Sequence, residues 1–296
     1  MNTQLIEKVY EEVRRKIASG EIKTNDIEKT VKEIANNEKE SKVKNEGINI
    51  KKVKEVKEVK KEGTFMQEPG LTEFVGTAIG DTIGLVIANI DSALHEAMGI
   101  DKKFHSIGII GARTGAGPQI MAADEAVKAT NTEIVSIELP RDTKGGAGHG
   151  SLIIFGAEDV SDARRAVEVT LKEINRTMGD VYGNDAGHIE LQYSARASLA
   201  VEKAFGAPVG KSFGLIVGAP AAIGVMMADT AVKTANVDIV AYSSPAKGTS
   251  YSNEVILAIT GDSGAVRQAV ISAREVGKKL LHALGDEPTS TTEPYI

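Results

Sequence analysis

The sequence predicts an α+β protein built from two similar modules in tandem, preceded by a charged extension. Three observations carry that prediction. A long stretch of the chain repeats, each copy alternates strand-like and helix-like segments, and the composition changes abruptly near residue 66.

The repeat is the strongest of the three. Residues 122–135 read AADEAVKATNTEIV and residues 227–240 read MADTAVKTANVDIV. Asp, Ala-Val-Lys, Asn and Ile-Val recur at an offset of 105 (227 against 122). Pro140 and Pro245 keep that offset. LIIFGAEDVSDARRAV (152–167) then pairs with VILAITGDSGAVRQAV (255–270), and upstream SIGIIGA (106–112) pairs with SFGLIVG (212–218). Further upstream only the pattern matches, as 86–99 against 193–206.

Each copy yields the same order of elements. A helical stretch ends at Met98-Gly99 or Phe205-Gly206 and leads to a strand at 107–111 or 213–217. A small-residue loop follows, then a helix at 119–130 or 224–235. A strand at 133–138 or 238–243 enters a polar Gly-rich loop. Another strand, 151–155 or 254–259, precedes a final helix at 160–174 or 263–281. Asp124 and Asp229 are expected in early helical turns, where the macrodipole favours a carboxylate. Ser161 and Ser263 are expected to cap the last helices. The boundaries are an extension at 1–65, one module at 66–184, a second at 185–285 and a tail at 286–296.

The extension is rich in mixed charge, and KKVKEVKEVKKEG (51–63) has little to bury, so it reads as a solvated linker or a frayed helix. Leu5, Ile6, Val9, Val13 and Ile17 recur at helical spacing among charged residues and predict a short amphipathic helix. Such a helix is marginal in water until its stripe meets a partner. That partner is either this protein's own body or another protein within reach of the linker.

The composition narrows the function classes. The chain of 296 residues has no Cys, which removes disulfides, thiolate metal sites and a Cys nucleophile. A formal charge of −6, no Trp and only 4 % aromatics give no reason to expect nucleic acid. No apolar run reaches the ~18 residues of a membrane span, and the start does not read as a signal peptide, so a cytoplasmic home is expected.

The repeated motif, A-D-x-A-V-K-x-x-N-(V/T)-x-(I/V)-V followed by a Pro/Gly loop, an apolar strand and G-D-x-G-A-V-x-x-A-V, resembles the bacterial microcompartment (BMC) shell domain. It is cleanest at 227–240 with 261–270, whereas Glu158-Asp159-Val160-Ser161 departs from it in the first copy. Strand-bearing sequence precedes the helix that ordinarily comes early, as in the circularly permuted, tandem-domain members. LTEFVGTAIGDTIGLVIAN (71–89), GARTGAGPQIMAADEAVKATNTE (111–133), SIELPRDTKGGAGHGSL (136–152) and the final PYI are similar to members that serve propanediol utilisation, with ethanol-utilisation members second. The resemblance covers 71–296. It implies two tandem permuted BMC domains, a homotrimer acting as a pseudo-hexamer, and tiling with other shell proteins. It implies no catalysis, cofactor or metal.

The resemblance also points to residues. Lys128 and Lys233 occupy the family's tile-edge position; a solvated helix lysine is the plainer reading. The loops carrying Pro140, Arg141, Asp142, Gly145, Gly146, Gly148 and His149, and Pro245, Lys247, Gly248, Thr249 and Ser250, stand where the family has its pore loop. They are expected to line small channels for diols such as glycerol or 1,2-propanediol; an ordinary surface turn is the alternative. The amphipathic helix of Leu5, Ile6, Val9, Val13 and Ile17 is expected to tie enzyme cargo to the shell. Met66 opens the region of resemblance and is a candidate start for a shorter product.

Other constellations are weaker. GARTGAGP (111–118) follows a strand and precedes a helix, but lacks the Gly-Lys-Ser/Thr ending of a phosphate loop. His188 and Glu190 share a face of an expected strand, yet two ligands do not specify a metal site. Ser151, His149 and Asp142 have the residue types of a nucleophilic triad without a nucleophile elbow. A soluble small-molecule-binding regulatory trimer is the reading to set against a shell tile, and an enzyme of unknown chemistry is the third.

Overall fold

The structure, a computed structural model, describes residues 70–141 and 149–296. The first module runs β1 (Phe74–Ala78), β2 (Thr82–Ile87), α1 (Ser92–Ala97), β3 (Ser106–Ala112), α2 (Gly117–Ala129), β4 (Glu133–Glu138), β5 (Ser151–Ala157) and α3 (Val160–Thr177). The second repeats it as β6 (Val181–Asn184), β7 (Gly187–Ser194), α4 (Leu199–Phe205), β8 (Ser212–Ala219), α5 (Ala221–Thr234), β9 (Val237–Ser243), β10 (Val255–Gly261) and α6 (Ser263–His282). A short β11 (Thr289–Ser290) follows.

Duplicated sequence produces duplicated topology. One sheet has the order β1-β2-β3-β5-β4 and the other β11-β6-β7-β8-β10-β9, so five strands correspond one to one and β11 is an addition. All the pairings are antiparallel. The central strands are apolar on both faces because the long helix covers one face and other elements the opposite one; all eight residues of β8 are buried.

A glycine fixes the distance between helix and sheet in each copy. A Cβ on Gly108 would fall 2.8 Å from Val167 and 2.9 Å from the Ala163 carbonyl; one on Gly214 would fall 2.8 Å from Val270 and 3.0 Å from Val266. The third residue of each Ser-x-Gly strand start thus lets α3 or α6 lie directly on the strand. Ile110, Ile153, Phe155 and Val167 make the first core, and Ile189, Leu191, Ile216, Met227, Val266 and Val270 the second.

A third cluster joins the modules. Met121 of α2 packs with Ala197, Val201, Phe213, Leu215 and Val217 of the second module. Phe205 stacks on Phe213 at 5.5 Å between centroids. Dispersion and area burial over this cluster hold the modules together without a charged contact at its centre. The tail closes over the junction. Buried Asp180 accepts the backbone N–H of Tyr295 at 2.8 Å and of Ile296 at 3.0 Å on one oxygen, and Arg274 at 2.8 Å on the other.

The helical stretches expected to end at Met98-Gly99 and Phe205-Gly206 are Ser92–Ala97 and Leu199–Phe205, with Met98 and Gly206 at their C-caps. Two local expectations are corrected. The last helices are not capped by Ser161 and Ser263, which lie inside them. Asp159 and Asp262 hold the cap positions, and Asp262 accepts from the N–H of Gly264 and Ala265. Asp124 and Asp229 are mid-helical, because α2 and α5 start at Gly117 and Ala221. Their carboxylates are held by side-chain and backbone partners instead of a helix dipole.

Candidate functional site

The two modules enclose a cavity of about 510 Å³ at their junction. The β3–α2 loop (Thr114, Gly115, Ala116, Gly117) and His149 line it from the first module. Tyr182 to His188, Glu190, Leu215, Val217 and Glu254 line it from the second. Among the described residues no Lys or Arg lines it.

Glu190 is at the centre of this chemistry. It sits on β7 opposite Val217 of β8 and is 6 % exposed. Its Oε1 has no hydrogen-bond partner. The carboxyl packs directly over the first residue of α2: a Cβ on Gly117 would fall 1.8 Å from Oε1. Burial, and then the nearby negative charge of Glu254, push the Glu190 carboxyl up to about 8, so it holds its proton at neutral pH. Glu254, in the segment leading into β10, is itself buried and lies with Oε1 2.7 Å from His149 Nδ1. Burial also lowers the pKa of His188, against the opposing pull of Glu254. The set is therefore two carboxyl groups and two imidazoles, with His188 and Glu190 two residues apart on one face of β7.

The expected residues fare unevenly. His149 reaches the cavity, where it faces Glu254. Pro140 and Arg141 are exposed at the other end of their loop. Asp142, Gly145, Gly146 and Gly148 lie outside the described residues, as do Leu5, Ile6, Val9, Val13, Ile17 and Met66. In the second loop Pro245, Lys247 and Gly248 form a turn closed by Ser244 and Lys247, while Thr249 is buried with its hydroxyl donating to the Ser244 carbonyl at 2.8 Å. Ser250 and Tyr251 take positive φ, and Tyr251 is 81 % exposed. None of Pro245 to Ser250 lines the cavity.

Lys128 bonds Asp124 at 2.7 Å and Glu125 at 3.0 Å; Lys233 bonds Asp229 at 2.7 Å. Both lysines are thus held along their own helices by an i,i+4 pair. Among the described residues no group of three or more His, Cys, Asp or Glu is placed to hold a metal ion. No helix among them is long and apolar enough to cross a membrane. Ser151 is buried with its hydroxyl unpartnered, and His149 turns Nδ1 to Glu254.

Sequence reasoning found His188 and Glu190 but missed Glu254. The available signal was a break in the repeat: Glu254 stands where the first copy has Ser151, immediately before an otherwise matching apolar strand.

The comparisons with known proteins agree with this architecture. The family model described as the BMC domain matches twice, at residues 106–185 and 212–285. The bacterial microcompartment shell protein PduB of Citrobacter freundii and that of Salmonella typhimurium are each 74 % identical over 226 residues, which is 76 % of this chain and 84 % of theirs. PduB of Limosilactobacillus reuteri is 56 % identical over 225 residues, 76 % of this chain and 94 % of that one. Among solved structures, a trimeric bacterial microcompartment shell protein PduB superposes with a TM-score of 0.74 at 55 % identity, covering 76 % of this chain and all of that one. EtuB from Clostridium kluyveri superposes at 0.75 and 58 % identity, covering 77 % of this chain and all of that one. With two BMC domains in one chain, five corresponding strands in each sheet and this level of identity, the protein belongs to the BMC-domain family of bacterial microcompartment shell proteins.

Proposed function

We propose that this chain forms a homotrimer whose six modules together make one six-sided shell tile, and that the tile passes small uncharged polar solutes. The observation that carries the first part is an interface half used within the chain and half left open. In α2, Ile120 and Met121 are buried, and Ile134 of β4 is 8 % exposed. The repeat-equivalent Val225 and Met226 of α5 are 50 % and 47 % exposed, and Ile239 of β9 is 58 % exposed. The first module's face is covered by α4 of the second. No described element covers the equivalent face of the second module. At the opposite end, α1, the counterpart of α4, buries none of its residues and exposes Leu94. Two uncovered halves of one interface on a single chain fit head-to-tail closure, and three copies give an approximate six-fold ring. The trimeric state of the solved PduB relative supports the same ring.

Light scattering tests it: a trimer is expected, and Met226→Asp is expected to give folded protomers. Wild-type protein that stays monomeric at all concentrations overturns the reading.

The cavity is the candidate route for solutes. Its described lining mixes apolar side chains with carboxyls and imidazoles and holds no Lys or Arg, which suits diols and aldehydes over anions. The N-terminal 65 residues are assigned to tethering enzyme cargo inside the shell. Truncation to Met66 is expected to leave shells that form and hold little cargo, and full retention of cargo would remove that role. The chain is read as a structural component without a catalytic step of its own, located in the shell of a cytoplasmic compartment.

A further inference from the structure

We infer that the boundary between two subunits carries a carboxylate pair that the boundary inside one chain lacks. Asp229 on the open face of α5 receives the N-terminal turn of α1 of the next subunit, capped by the partner's Asp91, and the two like charges hold this boundary weaker than its counterpart inside the chain. The inference rests on the head-to-tail ring proposed above and names the contact that closes it.

The contact inside the chain is the template. Ser198 stands at the cap position of α4 and makes no side-chain bond to its own helix. Its N–H, at 2.9 Å, and its hydroxyl both donate to Oδ1 of Asp124 on α2. Lys128 holds Oδ2 of Asp124 at 2.7 Å. Just behind the cap, Ala200 packs with Ile120 and Ala123 and Val201 packs with Met121, all buried.

Both halves of that contact recur, uncovered. The turn that opens α4 reappears at α1, with Asp91 in place of Ser198, Ala93 and Leu94 in place of Ala200 and Val201, and Gly99 in place of Gly206, both glycines at positive φ. None of the residues of α1 is buried, and Leu94 is 46 % exposed. On α5 the receiving residues are Val225 and Met226 for Ile120 and Met121, Asp229 for Asp124 and Lys233 for Lys128. Lys233 takes Oδ2 of Asp229 at 2.7 Å, as Lys128 takes Oδ2 of Asp124. Oδ1 of Asp229 is therefore the counterpart of the oxygen that accepts from Ser198.

One residue differs in kind. Ser198 brings a hydroxyl donor to the carboxylate, whereas Asp91 brings a second carboxylate and turns it to its own helix, accepting the N–H of Ala93 at 2.9 Å and of Leu94 at 3.3 Å. The backbone N–H of the partner's Asp91 is then the donor that remains for Asp229. The other charges on the paired helices do not compensate. Inside the chain, Lys128 and Lys203 of α2 and α4 stand with Asp124, Glu125 and Glu202. Between chains, Lys233 stands with Asp229, the partner's Asp91 and the partner's Glu96. Like charges brought together as an interface closes cost affinity and slow the encounter.

The test reads trimer dissociation of the full chain by sedimentation equilibrium, at about 0.05 M and about 0.5 M NaCl, which spans weak to strong screening. Asp91→Ser restores the Ser198 chemistry with an equally good helix cap, and is expected to tighten association roughly tenfold or more per boundary. Asp229→Asn is expected to tighten it several-fold. The double variant is expected to gain no more than Asp91→Ser alone, since both changes remove one repulsion. Salt is expected to tighten wild type and to leave Asp91→Ser nearly unchanged. Asp91→Ser trimers that dissociate as readily as wild type, or an equal salt response in the two proteins, overturn the carboxylate pair and leave the ring standing. Met226→Asp trimers as tight as wild type overturn the docking of α1 on α5, and the inference with it.

Discussion

Helices α2 and α5 begin from nearly the same sequence and meet opposite fates. Asp124 and Asp229 hold the same repeat position. Asp124 is fully buried, accepting the Ser198 N–H at 2.9 Å and the Ser198 hydroxyl, with Lys128 on its second oxygen. Asp229 is partly exposed and meets only its own helix, through Lys233. The neighbour makes the difference. α4 of the second module docks on α2, and no described element covers the same face of α5. A residue's environment in a tandem fold is thus set by its copy number as much as by its motif, and the exposed copy shows which contacts another subunit has to supply.

The sharpest way to break this comparison is to place a charge on each helix. Met121→Asp buries a carboxylate in the inter-module cluster and is expected to cost more than about 4 kcal/mol or to abolish folding. Met226→Asp is expected to leave urea stability of the isolated protomer within about 1 kcal/mol while trimers disappear by light scattering. Similar unfolding by both would mean the α5 face is part of the protomer's own core.

A milder version uses the paired aspartates. Asp124→Ala strands the part-buried Ser198 N–H and is expected to cost about 1–3 kcal/mol by urea unfolding. Asp229→Ala removes an exposed helix pair and is expected to cost less than about 0.5 kcal/mol. Comparable losses would contradict the assigned environments.

The pH response sharpens the comparison at the cavity. Folded Glu190 binds its proton up to about 8, and the unfolded chain releases it near the ordinary 4.5. Unfolding in that interval releases a proton, so stability falls as pH rises through it and levels off above about 8. Glu190→Gln is therefore expected to melt several degrees higher than wild type at about pH 9 and equally at about pH 4. A constant difference across pH would assign the effect to packing.

The smallest expected effect on the protomer is at Lys233. Replacing it with Ala is expected to shift stability by less than about 1 kcal/mol, since it loses only an exposed helix pair. Lys128→Ala also takes the cation from the buried second oxygen of Asp124 and is expected to cost about 1–3 kcal/mol. The edge assignment is tested with both replaced. Trimers are expected to persist while extended sheets fail to form in electron micrographs. Normal sheets would remove the edge assignment.

Much of the fold was legible because duplication exposes itself. The Ala-Val-Lys and Ile-Val repeats located α2, α5, β4 and β9, and the paired Ser-x-Gly starts located β3 and β8. β1, β2 and β6 were missed: they are short, Gly-interrupted and held by neighbouring strands, and nothing local separates TIGLVI from the start of a buried helix. His149 and Glu190 were singled out, but the partnership of His149 with Glu254 was not visible, since the two are 105 positions apart and only folding brings them to 2.7 Å. The burial of Asp124 was equally hidden, because its motif twin at Asp229 predicts an exposed helix carboxylate.

Gly117 and Glu190 have a consequence for how such a tile diversifies. In a ring of six identical domains every substitution is copied to all six boundaries, so a wall that suits one molecule must be tolerated everywhere. Here the two walls that meet around Glu190 are encoded separately from those that meet between chains. Substitutions at the boundary inside one chain can therefore accumulate without being copied to the equivalent face of the second module, a freedom that gene fusion makes heritable.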